Sequence, residues 1–250
     1  MVTSLPAIVA IGLAFAAHTG VGASKVQAQN SPNASSDSAD STKQPKAILQ
    51  QVLHSMDENA EKFRTAQADF SWTPYNSVIN ETEAPDKGKI YFRRSGNNIQ
   101  MAALQQPPDE RQIIFSEGKI QVYRPKTKVL DVYDASAHRE EVESFLVLGF
   151  GSSGADLRKS FEVKYLGEEK IGGVATVKLE LVPLADKIKN SFPRIDLWID
   201  QQRGLSLRQQ LFQTGGDYRL ADYTNIRVNE KVPDNAFRLR TSGPTKTITH

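Results

Sequence analysis

Between Ile113 and Tyr133 three short runs rich in β-branched and aromatic residues follow one another, broken only by Glu117-Gly118 and Pro125-Lys126-Thr127. Runs of this length with turn residues between them form an antiparallel meander. The two-residue period extends over most of the chain. Ala66, Ala68, Phe70 and Trp72 alternate with Gln67, Asp69 and Ser71, and the same reading predicts strands near 66–73, 76–82, 88–95, 98–104, 111–116, 119–124, 128–133, 160–166, 173–182, 194–200, 205–213, 217–228 and 237–240. Short polar turns such as Gly96-Asn97-Asn98, Gln201-Gln202-Arg203-Gly204 and Thr214-Gly215-Gly216 join neighbours, so the sheet runs up and down. A sheet this wide must curl or close to cover its apolar face.

Two segments break the β pattern. From Pro45, the residues Leu49, Val52, Leu53, Met56, Ala60 and Phe63 recur at helical spacing, with Gln51, His54, Asp57, Glu58 and Lys62 opposite. Within 136–149, Val142, Phe145, Leu146 and Leu148 fall within two turns behind a possible cap at Ser136, and Gly149-Phe-Gly-Ser-Ser-Gly154 follows as a flexible loop. Both helices need an apolar surface to cover, and the sheet is the one available. The expected architecture is mainly β: an incomplete antiparallel β-barrel, strongly curled, with a helical lid.

Ahead of this domain, residues 1–28 read as a signal peptide, with an apolar run from Leu5 to Ala17 too short to span a bilayer and Val26-Gln27-Ala28 before the cut. No Lys or Arg precedes that run, which leaves an uncleaved anchor or a different start codon as alternatives. Residues 29–44 lack Leu, Ile, Val and Phe and read as a disordered linker. Residues 45–250 form the folded domain. The chain has no cysteine, so neither disulfides nor an acylated N-terminal cysteine is expected, and the processed protein should be soluble and periplasmic. A formal charge of +2 without basic clusters gives no nucleic-acid footprint.

No catalytic apparatus is visible. Gly149 to Gly154 spells GxGxxG, but it follows an apolar helix and no βαβ unit surrounds it, so no cofactor is expected. His18, His54, His138 and His250 lack metal spacing. Asp196 and Asp200 alternate with Ile195, Leu197 and Ile199, and are expected on the solvated face. What remains is apolar surface: Phe92, Met101 and Val122 on strands, Leu49, Val52, Leu53, Met56 and Phe63 on the first helix, and Phe145, Leu146 and Leu148 on the second. A curled sheet lidded by these helices has room for an apolar ligand.

The first helix ending in Phe63, Ala68-Asp-Phe-Ser71, Gly88-Lys-Ile-Tyr-Phe-Arg-Arg94, Phe115 to Pro125, Asp196-Leu-Trp-Ile-Asp200 with Gly204, and Tyr223 to Asn229 closing on Val232 to Phe237 occur in an order and spacing that resembles the LolA family of periplasmic lipoprotein carriers. The resemblance implies a half-barrel that shields the acyl chains of lipoproteins and delivers them to the outer membrane. Acylated lipoproteins, an inner-membrane lipoprotein-releasing transporter and an outer-membrane acceptor would then be its partners, and the carrier would act as a monomer. It also implies a lid latch at Arg94, where Ser95 replaces the family's usual proline and Arg93 competes for the inward position. Related half-barrels carry or sense other lipids and glycolipids, and similar folds serve as envelope-stress regulators; both stay open as alternatives.

Overall fold

A computed structural model describes residues 43–96 and 98–250. The segments expected as signal peptide and linker lie outside them, except that the first helix, α1 (Lys43–Lys62), already includes the last two linker positions. After α1 come β1 (Thr65–Asn76), β2 (Glu81–Thr82), β3 (Asp86–Ser95), β4 (Asn98–Gln105), β5 (Arg111–Ser116), β6 (Lys119–Arg124) and β7 (Val129–Asp134). The 3-10 turn Ser136–His138 leads into α2 (Arg139–Leu146) and α3 (Gly154–Ser160). Then follow β8 (Phe161–Ile171), β9 (Val174–Pro183), α4 (Asp186–Lys189), β10 (Arg194–Asp200), β11 (Ser206–Phe212), β12 (Tyr218–Val228), a 3-10 turn Asp234–Phe237 and β13 (Lys246–Thr249).

The described strands form one sheet in the order β13-β7-β6-β5-β4-β3-β1-β12-β11-β10-β9-β8, with β2 paired to β1. Every pairing is antiparallel except β13 with β7, and the sheet curls without closing into a barrel. The exchange of partners at β1 brings the two halves together: β1 pairs β3 on one side and β12 on the other, with Trp72 opposite Asp86 and Ala221.

Alternation decides which side chains enter the concave face. Ala66, Ala68, Phe70 and Trp72 are buried in turn along β1, and one hydrophobic cluster runs from them through Ile90, Phe92 and Met101 to Leu179, Leu197 and Ile199. Gly88 faces the Phe70 ring, and a Cβ there would stand 2.2 Å from the Leu104 carbonyl oxygen and 2.6 Å from Phe70 Cζ. The bare backbone lets β3, β4 and that ring approach.

Four expectations from sequence are corrected. The strand expected over 76–82 shrinks to Glu81–Thr82, because Asn76 folds the chain over itself: its Oδ1 accepts from the Val78 and Ile79 amides at 3.0 and 3.4 Å. The strand expected at 237–240 is absent. Val232, Ala236 and Phe237 instead pack on the convex face against Tyr91, Ala102 and Ile114 as a second, smaller core. The segment Gly149 to Gly154 is no loose loop, since a Cβ on Gly151 would meet the Phe63 ring at 2.6 Å and one on Gly154 the Leu53 carbonyl at 2.6 Å. Its glycines serve close packing, and Gly154 opens α3 under the Ser153 side-chain cap, which accepts from Asp156 N.

The last correction concerns Asp196 and Asp200, which are 0% and 4% exposed. Long cations from neighbouring positions lie over them. Asp196 meets Arg194 at 3.0 Å and Lys178 at 3.4 Å, and Lys178 also covers the Trp198 ring at 4.5 Å. Asp200 caps its own turn, accepting from the backbone amides of Gln202 and Arg203 and from Arg203 Nε.

Candidate functional site

The concave face and the segment after α2 enclose an apolar cavity of about 80 Å³. Strand residues Trp72, Ile90, Phe92 and Met101 form its floor, and Phe145, Leu146, Leu148 and Phe150 its roof. Aromatic contacts stiffen the walls: Phe92 lies 5.1 Å from Phe150, Phe150 meets Tyr223 edge-on at 4.8 Å, and Phe145 meets Phe192 at 5.6 Å. The roof has two sides. Leu146, Leu148 and Phe150 point into the cavity, while Val147 and Gly151 line a polar cleft of about 410 Å³ shared with Arg94, Glu140, Glu143 and Asp156.

The roof is held by its backbone carbonyls. Leu148 O accepts from Gln209 Nε2 at 2.8 Å, Gly149 O from the Ser206 amide at 2.6 Å, Phe150 O from Asn59 Nδ2 at 2.7 Å and Gly151 O from Arg94 at 3.1 Å. Four successive acceptors are thereby served from β11, α1 and β3. Gly149 permits the path at φ +77, where an added Cβ would sit 2.4 Å from Ser206 Cβ. The other end of the lid is tied to β4, where Glu143 accepts from Arg139 Nε at 2.7 Å and from the Ile99 amide at 3.5 Å.

Arg94 joins two elements at once. Its guanidinium donates to Ala60 O in α1 at 3.2 Å and to Gly151 O at 3.1 Å, with Phe63 beneath it at 5.2 Å. Burial, followed by the nearby Arg64 charge, lowers its pKa from the usual arginine value. Arg93 takes the opposite face, donating to Gln100 Oε1 at 2.9 Å and Asp234 at 3.0 Å and covering the Phe237 ring. Strand alternation thus puts Arg94, and not Arg93, beside the lid.

Among the residues singled out from sequence, Phe92, Met101, Phe145, Leu146 and Leu148 line the cavity. Val52, Leu53, Met56, Phe63 and Val122 are buried in the surrounding cluster, and Leu49 packs on it half-buried. The reason is the placement of α1, which lies against α3, β8 and β9. Trp72, Ile90 and Leu211 were read from sequence as apolar strand faces without being assigned to the site, and sequence reasoning missed Phe150, Phe192, Ala221 and Tyr223, together with the polar Gln209, Gln213 and Arg219. The β1 and β12 members share the apolar face by simple alternation and were accessible to the argument; Phe192, in an irregular stretch before Pro193, carried no such signal.

The described residues thus form an open, curled antiparallel sheet with an apolar cavity under a helical roof. Residues 89–239 match the MucB/RseB N-terminal domain family, and the chain belongs to it. The crystal structure of MucB is similar at 13% identity and TM-score 0.47, covering 79% of this chain and 63% of that one. A putative outer membrane lipoprotein-sorting protein domain from Vibrio parahaemolyticus is similar at 14% identity and TM-score 0.41, covering 78% and 97%. The Mycobacterium tuberculosis lipoprotein LppX is similar at 14% identity and TM-score 0.44, covering 75% and 98%. The chain therefore spans less than two thirds of the MucB chain it resembles. No curated protein matches the sequence.

Proposed function

We propose that this protein is a periplasmic binding protein, without enzymatic activity, that takes acyl chains from amphiphiles such as lipoproteins between its concave sheet and its lid. The observation that carries this reading is the cavity itself, walled by Trp72, Ile90, Phe92, Leu146, Leu148 and Phe150 under a roof held by hydrogen bonds. The cavity measures about 80 Å³. Pockets that hold drug-sized ligands measure roughly 300–1,000 Å³, so loading requires the roof to lift. Each methylene removed from water contributes roughly 0.8 kcal/mol, which is ample drive for a multi-chain anchor.

Arg94 is the proposed latch of the closed form, because one guanidinium ties α1 to the roof. In the carrier reading, cargo is delivered toward the outer membrane by opening and closing of the lid. A second reading is an envelope-stress regulator that works through a protein partner, and the match of residues 89–239 to the MucB/RseB N-terminal domain family supports it. In crystal structures MucB is seen in complex with MucA, and an equivalent protein partner is what the second reading requires here.

Native mass spectrometry of gently purified protein tests acyl binding, since a bound acylated species is expected on the folded protein. A ligand-free spectrum that stays unchanged after incubation with lipoprotein or phospholipid micelles would overturn acyl binding. Affinity capture from periplasm then separates the two: lipoprotein cargo supports the carrier, and an inner-membrane signalling protein supports the regulator.

A further inference from the structure

Among the described residues, the three most exposed Val, Ile and Leu side chains stand at one end of the sheet. Val78 and Ile79, at the tip between β1 and β2, are 89% and 55% exposed, and Leu184, just past β9, is 58% exposed. Register brings them to the same rim. Tyr75 pairs with Tyr218, Tyr218 with Phe212 and Phe212 with Arg194, and the next strand puts Leu181 opposite Ile195. The tip and Leu184 therefore stand on either side of the β11–β12 hairpin end.

The tip is fixed by polar bonds, yet its apolar side chains serve no core. Asn76 accepts from the Val78 and Ile79 amides, the Ser77 amide donates to Asp217 Oδ1 at 2.8 Å, and the Ser77 hydroxyl donates to Gly215 O at 2.9 Å. The Tyr75 hydroxyl closes the turn on Asn80 Oδ1 at 2.5 Å. Turns favour Gly, Asn, Asp and Ser. One already closed by its own polar groups gains no stability from two β-branched side chains turned to water.

Behind the tips runs an aromatic row. Tyr75 and Tyr218 stack at 4.5 Å, Phe212 lies 5.8 Å from Tyr218, and Arg194 covers Phe212 at 3.9 Å. All four are half-buried. At a strand rise of about 3.4 Å per residue, the tips project roughly 7–10 Å beyond that row. Interfacial segments sink their apolar side chains roughly 5–10 Å into a bilayer, with aromatic rings at headgroup level. The cavity opens on the same rim, since Leu211 and Gln213 are its half-exposed lining residues and the others are buried. Charges of both signs flank the tips, Glu81, Glu83 and Asp217 near Val78, and Lys159, Lys189 and Asp186 near Leu184. A zwitterionic surface matches that mixture better than a polyanion does.

We infer that this rim docks on a zwitterionic phospholipid bilayer, with Val78, Ile79 and Leu184 in the acyl boundary and the cavity opening against the headgroups. The inference rests on the acyl-binding reading for its purpose: a chain passes between bilayer and cavity without crossing water.

Because the chain has no cysteine, single labels test it. Val78→Cys, Leu184→Cys and Val174→Cys each carry a nitrobenzoxadiazole fluorophore; Val174, 37% exposed, begins β9 at the opposite end of the sheet and is the control. With phosphatidylcholine vesicles, the labels at 78 and 184 are expected to shift to the blue and to be quenched by nitroxides on the acyl chains, while the label at 174 stays unchanged. Val78→Ser with Ile79→Ser, read from the label at 184, should weaken vesicle affinity about tenfold or more. An equal response at all three positions, or none at 78, would overturn the inference. A blue shift at 78 that grows with protein concentration in the absence of vesicles would place a second copy on the tip and overturn it as well. Uptake of a fluorescent fatty acid by the same chains reports acyl binding separately. Uptake without docking overturns this inference alone, and docking without uptake overturns the acyl-binding reading alone.

Discussion

Arg94→Leu tests the latch most directly, because the structure says what is lost. Two hydrogen bonds from a charged donor disappear, to Ala60 O and Gly151 O at 3.2 and 3.1 Å. Bonds of that kind contribute about 1.5–3 kcal/mol each when buried. Arg94 is only half-buried, and a leucine regains contact with Phe63, so the closed lid should lose about 2 kcal/mol, or roughly 30-fold in the closed-to-open ratio. The other three roof bonds, from Gln209, Ser206 and Asn59, remain and keep the fold intact. A fluorescent acyl probe preloaded on the variant should therefore bind normally and transfer to acceptor liposomes about 30-fold more slowly in a stopped-flow measurement, since closure no longer drives release. Arg93→Leu is the control, its guanidinium engaged with Gln100 and Asp234 away from the lid. Release at the natural rate from Arg94→Leu would refute the latch, and slow release from Arg93→Leu would show that the convex face controls the lid.

Two further perturbations probe the supports. Gly151→Ala puts a methyl 2.6 Å from the Phe63 ring and should lower stability by about 1–3 kcal/mol in urea unfolding, with Phe63→Leu in the same chain restoring part of it; an unchanged midpoint would mean that the roof and α1 are not in tight register. Asp131 on β7 meets His250, just past β13, at 3.0 Å and accepts from Arg124 at the end of β6. Burial raises its pKa, but the hydrogen bonds from His250 and Arg124 outweigh that and hold the carboxyl below its usual value. A depressed carboxyl stabilises the fold fully above its unfolded pKa near ~3.9 and loses that contribution as pH falls through the lower folded value. Amide exchange at 246–249 should therefore accelerate below about pH 4, and Asp131→Asn should accelerate it already at pH 7; exchange independent of both would break the link.

The meander was legible because its turns are chemically explicit: Gly118 at φ +73 stands in the break placed at Glu117-Gly118, and strands 111–116, 119–124 and 194–200 fall where alternation put them, while Lys128 at φ +55, counted into the next strand, belongs to the second turn. The side of Arg94 was recoverable by counting from Phe92, but its partners Ala60 and Gly151 were not, since backbone carbonyls carry no side-chain signature. Asp196 misled because alternation gives a side of the sheet and not its cover; Lys178 and Arg194 bury a carboxylate on the outward face. The C-terminal strand was missed because Lys246-Thr-Ile-Thr249 has one large apolar residue and pairs in parallel with a strand more than a hundred positions earlier. Arg219 shows how one charged residue in an apolar register escapes a search for apolar faces.

The lid and the sheet belong to a single hydrophobic cluster, in which Leu146, Leu148 and Phe150 are joined to Phe92, Leu179 and Ile199 without a boundary. On the concave side, the surface proposed to receive acyl chains is the same surface that holds the fold together. Lifting the roof is therefore a step of local unfolding, and it bares the same surface that the chain buried in order to fold. Under the proposed acyl binding, the fragile species would be neither the loaded protein nor the closed one, but the open molecule before a ligand arrives. Proteases and aggregation partners meet their best target there, so a protein built this way has reason to stay shut until its ligand or its partner has arrived.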